Sequence, residues 1–248
     1  MKAIIIAGGT GSRICKILGC KGKQLIRIHG LELFMYPIIS LWSIGINEFI
    51  VVVNPMIYNE IDTILEKYSQ ELGFKYILDF NPYIETLNGN TTLIGLKHVS
   101  EPVLLSVSDH IYPPEMPEKL LNEGIKLKSD IVVLGDKNPI IVDVREATKI
   151  KVSGDRVIEV SKQLINPDYI DTGLFLFKNP LKITSLFDVE KPVRLMDIVS
   201  DHRLLVKVVV IDKLVWKDID VLEDLLMISK EPLRNVVMKL LDIIKHQS

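Results

Sequence analysis

Ala3–Ile14 reads AIIIAGGTGSRI, an apolar run that meets a glycine-rich turn and ends beside an arginine. Small residues leave backbone N–H groups free to face an anion, and a guanidinium presents a planar fork suited to phosphate. Ala7, Gly8, Gly9, Thr10 and Gly11 are therefore candidates to cradle a phosphate, with Arg13 to offset its charge. The stretch lacks the third glycine of a dinucleotide fingerprint and the GK[ST] of a Walker loop. Taken alone, it is equally well explained as a tight strand-to-loop turn. Lys21 and Lys23 follow in GCKGKQL. Single loop lysines are usually solvated; a glycine turn, an arginine and a loop lysine together argue for a phosphate site.

Acidic residues form a second set. LLSVSDHIY is an apolar strand ending in Ser108 and Asp109, and a carboxylate there is costly unless paired or metal-bound. In LVWKDIDVLEDL, Asp218 and Asp220 flank Ile219, so in extended backbone both project to the same side. Asp220 also suits the N-cap of the helix VLEDLLMI, with Glu223 completing a capping box. In NPYIETLNGNTTLIGL, Asn81, Asn88 and Gly89 make a turn and Asn90 caps a helix starting at Thr91. Amide and hydroxyl groups beside a helix start can also read the edge of a base. The five histidines are scattered and suggest no histidine-based metal site; His110 stands next to Asp109.

These groups need a frame. Buried strand patterns (KAIIIA, FIVVVN, FKYILD, PVLLSVSD, DIVVLGD) alternate with helical patterns (LFMYPIISLWSIG, YNEIDTILEKYSQEL, Thr91–His98, EKLLNEGIKL) through the first half. Such alternation predicts βαβ units, a mostly parallel sheet and ligands at the carboxyl ends of its strands. REATKIKVSGDRVIEVSK then predicts two antiparallel strands joined at SGD. YIDTGLFLF and HRLLVKVVVID are further strands, IDVLEDLLMI and PLRNVVMKLLDII helices, and no linker-like or repetitive tract separates them. The expected architecture is one α/β domain over 1–248, with a β-rich part at about 140–180 and C-terminal helices at about 220–246.

The chain has 248 residues, 48% hydrophobic and 25% charged, with a formal net charge of -2. That suffices for a large core without disulfides and lacks the basic footprint of a nucleic-acid binder. Cys15 and Cys20 match neither CxxC nor a zinc ribbon; reduced intracellular thiols are the expectation, with a disulfide between them as the less favoured alternative. No signal peptide or membrane span is visible, so a cytoplasmic protein, not membrane-embedded, is expected.

AGGTGSR followed by KGKQL resembles the opening of nucleotidyltransferases that activate sugar phosphates and polyol phosphates, AGGxGxR(L)…PKxL, with Gly22 where that family usually has proline. SDHIY, EATKIKV, SKQL and YIDTGLFLF are similar to the cytidylyltransferases that act on inositol 1-phosphate. The resemblance covers nearly the whole chain and implies a Rossmann-like α/β fold of the nucleotide-diphospho-sugar transferase type. It implies Arg13 and Lys23 as catalytic groups. The glycine turn, Asn81, Gly89, Asn90, Thr91 and Ser108 would hold CTP or another NTP. Glu146, Lys149, Lys162, Asp171 and Thr172 would hold a phosphorylated polyol or sugar. Mg2+ would sit on Asp109 with Asp218 or Asp220, Asp218 being favoured.

Many family members carry a fused membrane transferase that consumes the CDP-alcohol; no such segment follows KHQS, so a stand-alone first step, or one that works with a separate membrane transferase, is the expectation. An NDP-sugar pyrophosphorylase and a non-catalytic nucleotide-sensing module are the competing readings. Removal of one charge-stabilising group typically costs a hundred- to thousandfold in rate, about 3–4 kcal/mol, and Lys23→Ala is expected to lose that much turnover in a steady-state assay. Retention of more than roughly a tenth of wild-type turnover would remove Lys23 from the catalytic set.

Overall fold

The computed structural model describes residues 1–82 and 87–246; part of the expected base-binding loop, 83–86, and the last two residues lie outside the described residues. The first half runs β1 (Lys2–Ala7), α1 (Ser12–Leu18), β2 (Arg27–Ile28), β3 (Leu31–Glu32), α2 (Met35–Trp42), β4 (Glu48–Val53), α3 (Tyr58–Leu72), β5 (Lys75–Phe80), α4 (Asn88–Leu96) and β6 (Val103–Val107). Next come β7 (His110–Ile111), α5 (Glu115–Gly124), β8 (Ile131–Asp136), β9 (Lys149–Ser153), β10 (Arg156–Ser161) and β11 (Tyr169–Phe177). The chain finishes with α6 (Pro180–Leu186), α7 (Leu195–Val199), β12 (Val206–Ile211), β13 (Lys217–Asp218), α8 (Leu222–Met227) and α9 (Leu233–Lys245).

Nine strands form one sheet in the order β5-β4-β1-β6-β11-β8-β12-β10-β9. β1 lies parallel to both β4 and β6, as its apolar run requires. Ala3, Ile5 and Ala7 enter the core on one face of the sheet, and Ile4 and Ile6 the core on the other. The parallel run stops at β6. β11 is antiparallel to both β6 and β8, so the sheet is mixed. An antiparallel strand begins where its neighbours end, which brings Asp171, near the start of β11, to the edge where β6 delivers Asp109.

Several local expectations shift for identifiable reasons. Pro37 lies in the first turn of α2, where a missing N–H costs no intrahelical bond. Arg145–Ala147 form a turn instead of the start of a strand, with the N–H groups of Glu146 and Ala147 both donating to the Asp143 carbonyl. Cys15 and Cys20 are not free thiols but are joined as a disulfide. Helix α1 ends after about two turns at Gly19, and the chain folds back to bring the two Cα atoms to 4.7 Å. Among the described residues no helix is long and apolar enough to cross a membrane.

Helix α4 packs against the segment before α7 so closely that a Cβ on Gly89 would lie 2.4 Å from the Val193 carbonyl oxygen. Backbone cannot yield as a side chain tip would. Gly89→Ala is therefore expected to cost on the order of 1–3 kcal/mol and to lower the melting temperature by roughly 5 °C. A thermal melt of the variant superimposing on that of the wild type would show that α4 has room to move.

Candidate active site

The glycine turn leaves β1 at its carboxyl end and is held from behind by Gln24. The Gln24 Nε2 donates to the carbonyls of Ala7 (3.1 Å) and Gly9 (2.8 Å). Gly11 takes a left-handed backbone, φ +62, and a Cβ there would stand 2.6 Å from the Cβ of Lys23. Turn and lysine are thus one packed unit, and the absence of a side chain at Gly11 lets Lys23 pass beneath the loop.

Lys23 is buried, and its ammonium meets Asp109 Oδ2 at 2.5 Å and also contacts Asp220 Oδ1. Arg13 reaches Asp220 at 3.9 Å with its guanidinium largely exposed. His110 Nδ1 bonds the second Asp109 oxygen at 2.7 Å. Burial opposes every charge here, but the partners outweigh it. Lys23 and His110 hold the Asp109 carboxyl far below the usual carboxylate range, and Asp109 and Asp220 hold Lys23 above the usual lysine value. The His110 imidazole is likewise raised: burial is overcome by Asp109, with Asp218 and Asp171 adding to it. Lys21, by contrast, pairs with Glu60 on the surface.

A two-stranded ribbon brings the distant carboxylates together. β13 pairs antiparallel with β7, setting Asp218 opposite His110, and the Ile219 N–H donates to the Asp109 carbonyl at 2.9 Å. Asp224 then caps α8, its Oδ2 accepting from the N–H groups of Asp220 (2.9 Å) and Val221 (3.0 Å). Glu223, expected to complete the cap, is exposed. Because Asp224 caps the helix, the Asp220 side chain is released to the site. Buried Lys217 bridges Asp224 at 2.8 Å and Asp218 at 2.9 Å. The geometry therefore pairs Asp109 with Asp220 across one ammonium, whereas Asp218, the partner favoured from sequence, is bound to Lys217.

Two cavities meet at Asp109 and Asp220. The first is lined by Gly8, Gly9, Thr10, Gly11, Arg13 and Lys23 on one side and by Thr91 and Ser108 on the other. Ser12, Gln24 and Asn88 also line it. The sequence reading missed them as contacts, although Gln24 follows Lys23 directly and Asn88 stands in the expected base loop. Ala7, Asn81, Gly89 and Asn90 do not line it. Asn81 Nδ2 donates to Thr91 Oγ1 at 3.2 Å. Asn90 does not cap α4, which already begins at Asn88. Fully buried, Asn90 accepts from the Val193 N–H (2.9 Å) and donates to the carbonyls of Val189 (2.8 Å) and Lys191 (2.7 Å). It ties the helix to a crossing segment.

The second cavity is lined by Glu146, Lys162, Asp171 and Asp218, with His110 and Trp216 in its wall. Lys149 and Thr172 lie outside it. The buried Lys149 ammonium donates to the carbonyls of Arg145 (3.1 Å), Ala147 (3.3 Å) and Lys162 (2.6 Å), locking the backbone that carries Glu146 and Lys162. Thr172 Oγ1 donates to the Leu134 carbonyl at 2.8 Å inside the sheet. Among the described residues no carboxylate pairs with the Lys162 ammonium. Asp171 Oδ1 accepts from the Gly173 N–H at 2.9 Å, yet burial still pushes its carboxyl up to about 6. Among the described residues no cluster of three or more His, Cys, Asp or Glu groups is arranged to hold an ion by itself.

A glycine cradle at a strand end, a lysine between two carboxylates and a mixed sheet of this order define a nucleotidyltransferase of the nucleotide-diphospho-sugar type. The chain belongs to the MobA-like NTP transferase domain family, whose pattern matches residues 3–183. It is 34% identical over 227 residues to the bifunctional IPC transferase and DIPP synthase of Archaeoglobus fulgidus, covering 90% of this chain and 42% of the relative. The protein of the same name from Thermococcus kodakarensis is 30% identical over 228 residues, covering 90% of this chain and 49% of the relative. The chain thus spans less than half the length of these relatives. The structure of the inositol-1-phosphate CTP transferase from T. maritima superposes with a TM-score of 0.81 at 27% identity, over 98% of this chain and 96% of that one.

The raised Asp171 carboxyl has a definite sign. A carboxyl whose folded value exceeds its unfolded one stabilises the fold fully below the unfolded value, and that contribution is lost as pH rises through about 6. Asp171→Asn keeps the bond from Gly173 and removes the charge. The variant is expected to melt above the wild type at pH 8, with the gap closing toward pH 4. A melting difference independent of pH would show that no buried charge is relieved.

Proposed function

We propose that the protein transfers a cytidylyl group from CTP to the phosphate of a polyol, inositol 1-phosphate, giving a CDP-alcohol and pyrophosphate. The observation that carries this reading is the second cavity: it is lined by Glu146, Asp171 and Asp218 together with the exposed Lys162, whose ammonium has no carboxylate partner among the described residues, and it adjoins Asp109 and Asp220. Ionised carboxylates only accept hydrogen bonds, and an ammonium only donates them. Carboxylates beside such an ammonium suit a ligand with many hydroxyls and one phosphate. The names of the relatives agree with that chemistry, and a separate membrane transferase would consume the CDP-alcohol.

An oxygen of the acceptor phosphate attacks the α-phosphorus in line. The new P–O bond forms as the bond from the α-phosphorus to the bridging oxygen breaks, and that electron pair leaves with pyrophosphate. The attacking oxygen is already anionic, so no general base is needed. Catalysis rests on positioning and charge stabilisation. Lys162 holds the acceptor phosphate, and Glu146 and Asp171 accept from its hydroxyls. Arg13 and Lys23 offset the charge that builds on the leaving group. Thr91, Ser108 and Asn88 face the cavity where the nucleoside lies.

A divalent ion suits the donor set. Magnesium typically takes one or two carboxylates and completes its shell with water and substrate phosphates, and Asp109 and Asp220 converge closely enough to share one ammonium. These two residues would hold the ion, which would supply polarisation of the α-phosphate.

Pyrophosphate release tests the reading, measured with each NTP and Mg2+, with and without inositol 1-phosphate. Release confined to CTP plus that acceptor is expected. Release with UTP, GTP or dTTP and a hexose 1-phosphate would replace it with an NDP-sugar pyrophosphorylase. A nucleotide-dependent thermal shift with no release under any condition would replace it with a binding module.

A further inference from the structure

Asp109 has two carboxylate oxygens with different partners. One faces Lys23 and the junction of the cavities; the other is taken by His110 Nδ1 at 2.7 Å. His110 is itself packed in place. Its ring stacks on the Trp216 indole, with centroids 5.6 Å apart and planes within 10°. Gly173 stands close by, where a Cβ would lie 3.1 Å from His110 Nε2. Trp216 is fixed in turn, buried, with its indole N–H donating to Asp136 Oδ2 at 2.8 Å. Asp136 is fully buried at the end of β8, and its Oδ1 accepts from the Asn138 N–H at 3.0 Å. The chain of contacts Asp136–Trp216–His110–Asp109 crosses the site from the wall of the acceptor cavity to the carboxylate at the junction.

We infer that His110 is a positioning residue for the transfer: stacked on Trp216 and closely approached by Gly173, it donates from Nδ1 to one oxygen of Asp109 and so turns the other toward the cation side of the nucleotide cavity. A carboxylate free to rotate about its last bond would divide its time among orientations and lose its hold on Lys23 or a divalent ion. A hydrogen bond to the oxygen not in use removes that freedom without taking up the ligating oxygen. Partners one step beyond a ligand typically change metal affinity or activity by roughly 10- to 100-fold when lost. The inference rests on the proposed role of Asp109 as a cation ligand.

The amide nitrogen of an asparagine superposes on the Nδ1 position of a histidine, whereas that of a glutamine superposes on Nε2. His110→Asn therefore keeps the donor beside Asp109 and His110→Gln moves it away, while both lose the ring stack equally. Thermal melts would first establish that each variant is folded. Mn2+ binding would then be measured by titration calorimetry in the presence of an α,β-methylene CTP analogue, alongside turnover with CTP and inositol 1-phosphate. Expected for His110→Gln is Mn2+ affinity and kcat both reduced by roughly 10- to 100-fold, with the KM for the acceptor within threefold of wild type. Expected for His110→Asn is both within about threefold of wild type. If the wild type binds Mn2+ and the two variants are equally impaired, the ring packing matters and the hydrogen bond does not, which overturns the inference alone. If the nucleotide-loaded wild type does not bind Mn2+, the cation role of Asp109 falls and the inference falls with it.

Discussion

One ammonium held between two carboxylates organises this molecule. Lys23 lies near the amino end, Asp109 at the end of a central strand and Asp220 near the carboxyl end, and the three meet in a mostly buried place. Burying any one of them alone would cost several kcal/mol, so each needs the others. Much of the nearby architecture meets that requirement. Gly11 clears the path of the lysine, Gln24 clamps the turn above it, the β7–β13 ribbon brings the third group into reach, and Asp224 caps α8 so that Asp220 is not used as a cap.

The change of direction in the sheet divides the chemistry. The carboxyl ends of the parallel strands β5, β4, β1 and β6 lie at one edge, and the first cavity forms there. β11 then runs the other way, so its beginning reaches the edge where β6 ends. The second cavity is assembled from that beginning, from Lys162 just after β10 and from the turn at Glu146. A wholly parallel sheet would have set the start of β11 at the far edge. The mixed sheet sets two adjoining cavities against a shared pair of carboxylates.

Motif positions were more legible in the sequence than the jobs done there. Arg13, Lys23, Asp109, Lys162 and Asp171 all face the two cavities. Lys149, Thr172, Asn81 and Asn90 belong to the same matching stretches but bond to their own protein. The reason is physical. A buried lysine or asparagine is required wherever several carbonyls or amides would otherwise stand unpaired, and which groups those are depends on the segments that fold over them. The 189–193 segment crosses Asn90 from a hundred residues away, and no local pattern announces that. The disulfide was the less favoured reading for a related reason: the spacing of Cys15 and Cys20 matched no familiar framework, and their approach depends on where α1 stops.

The sequence by itself determined the strand and helix alternation, the double-faced burial of β1 and the cationic turn that follows it, because these rest on periodicity and residue type within a few positions of one another. It also placed both acidic segments at the ends of extended runs. What it left open was which of Asp218 and Asp220 would stand with Asp109 at Lys23, and in the tertiary structure it is Asp220. The choice turns on the register of β13 against β7, on Lys217 binding Asp218, and on Asp224 relieving Asp220 of the cap. These are contacts among side chains that neighbour the motif or meet it only across the fold, and their balance exists only once the ribbon, the helix start and the buried lysines are packed together.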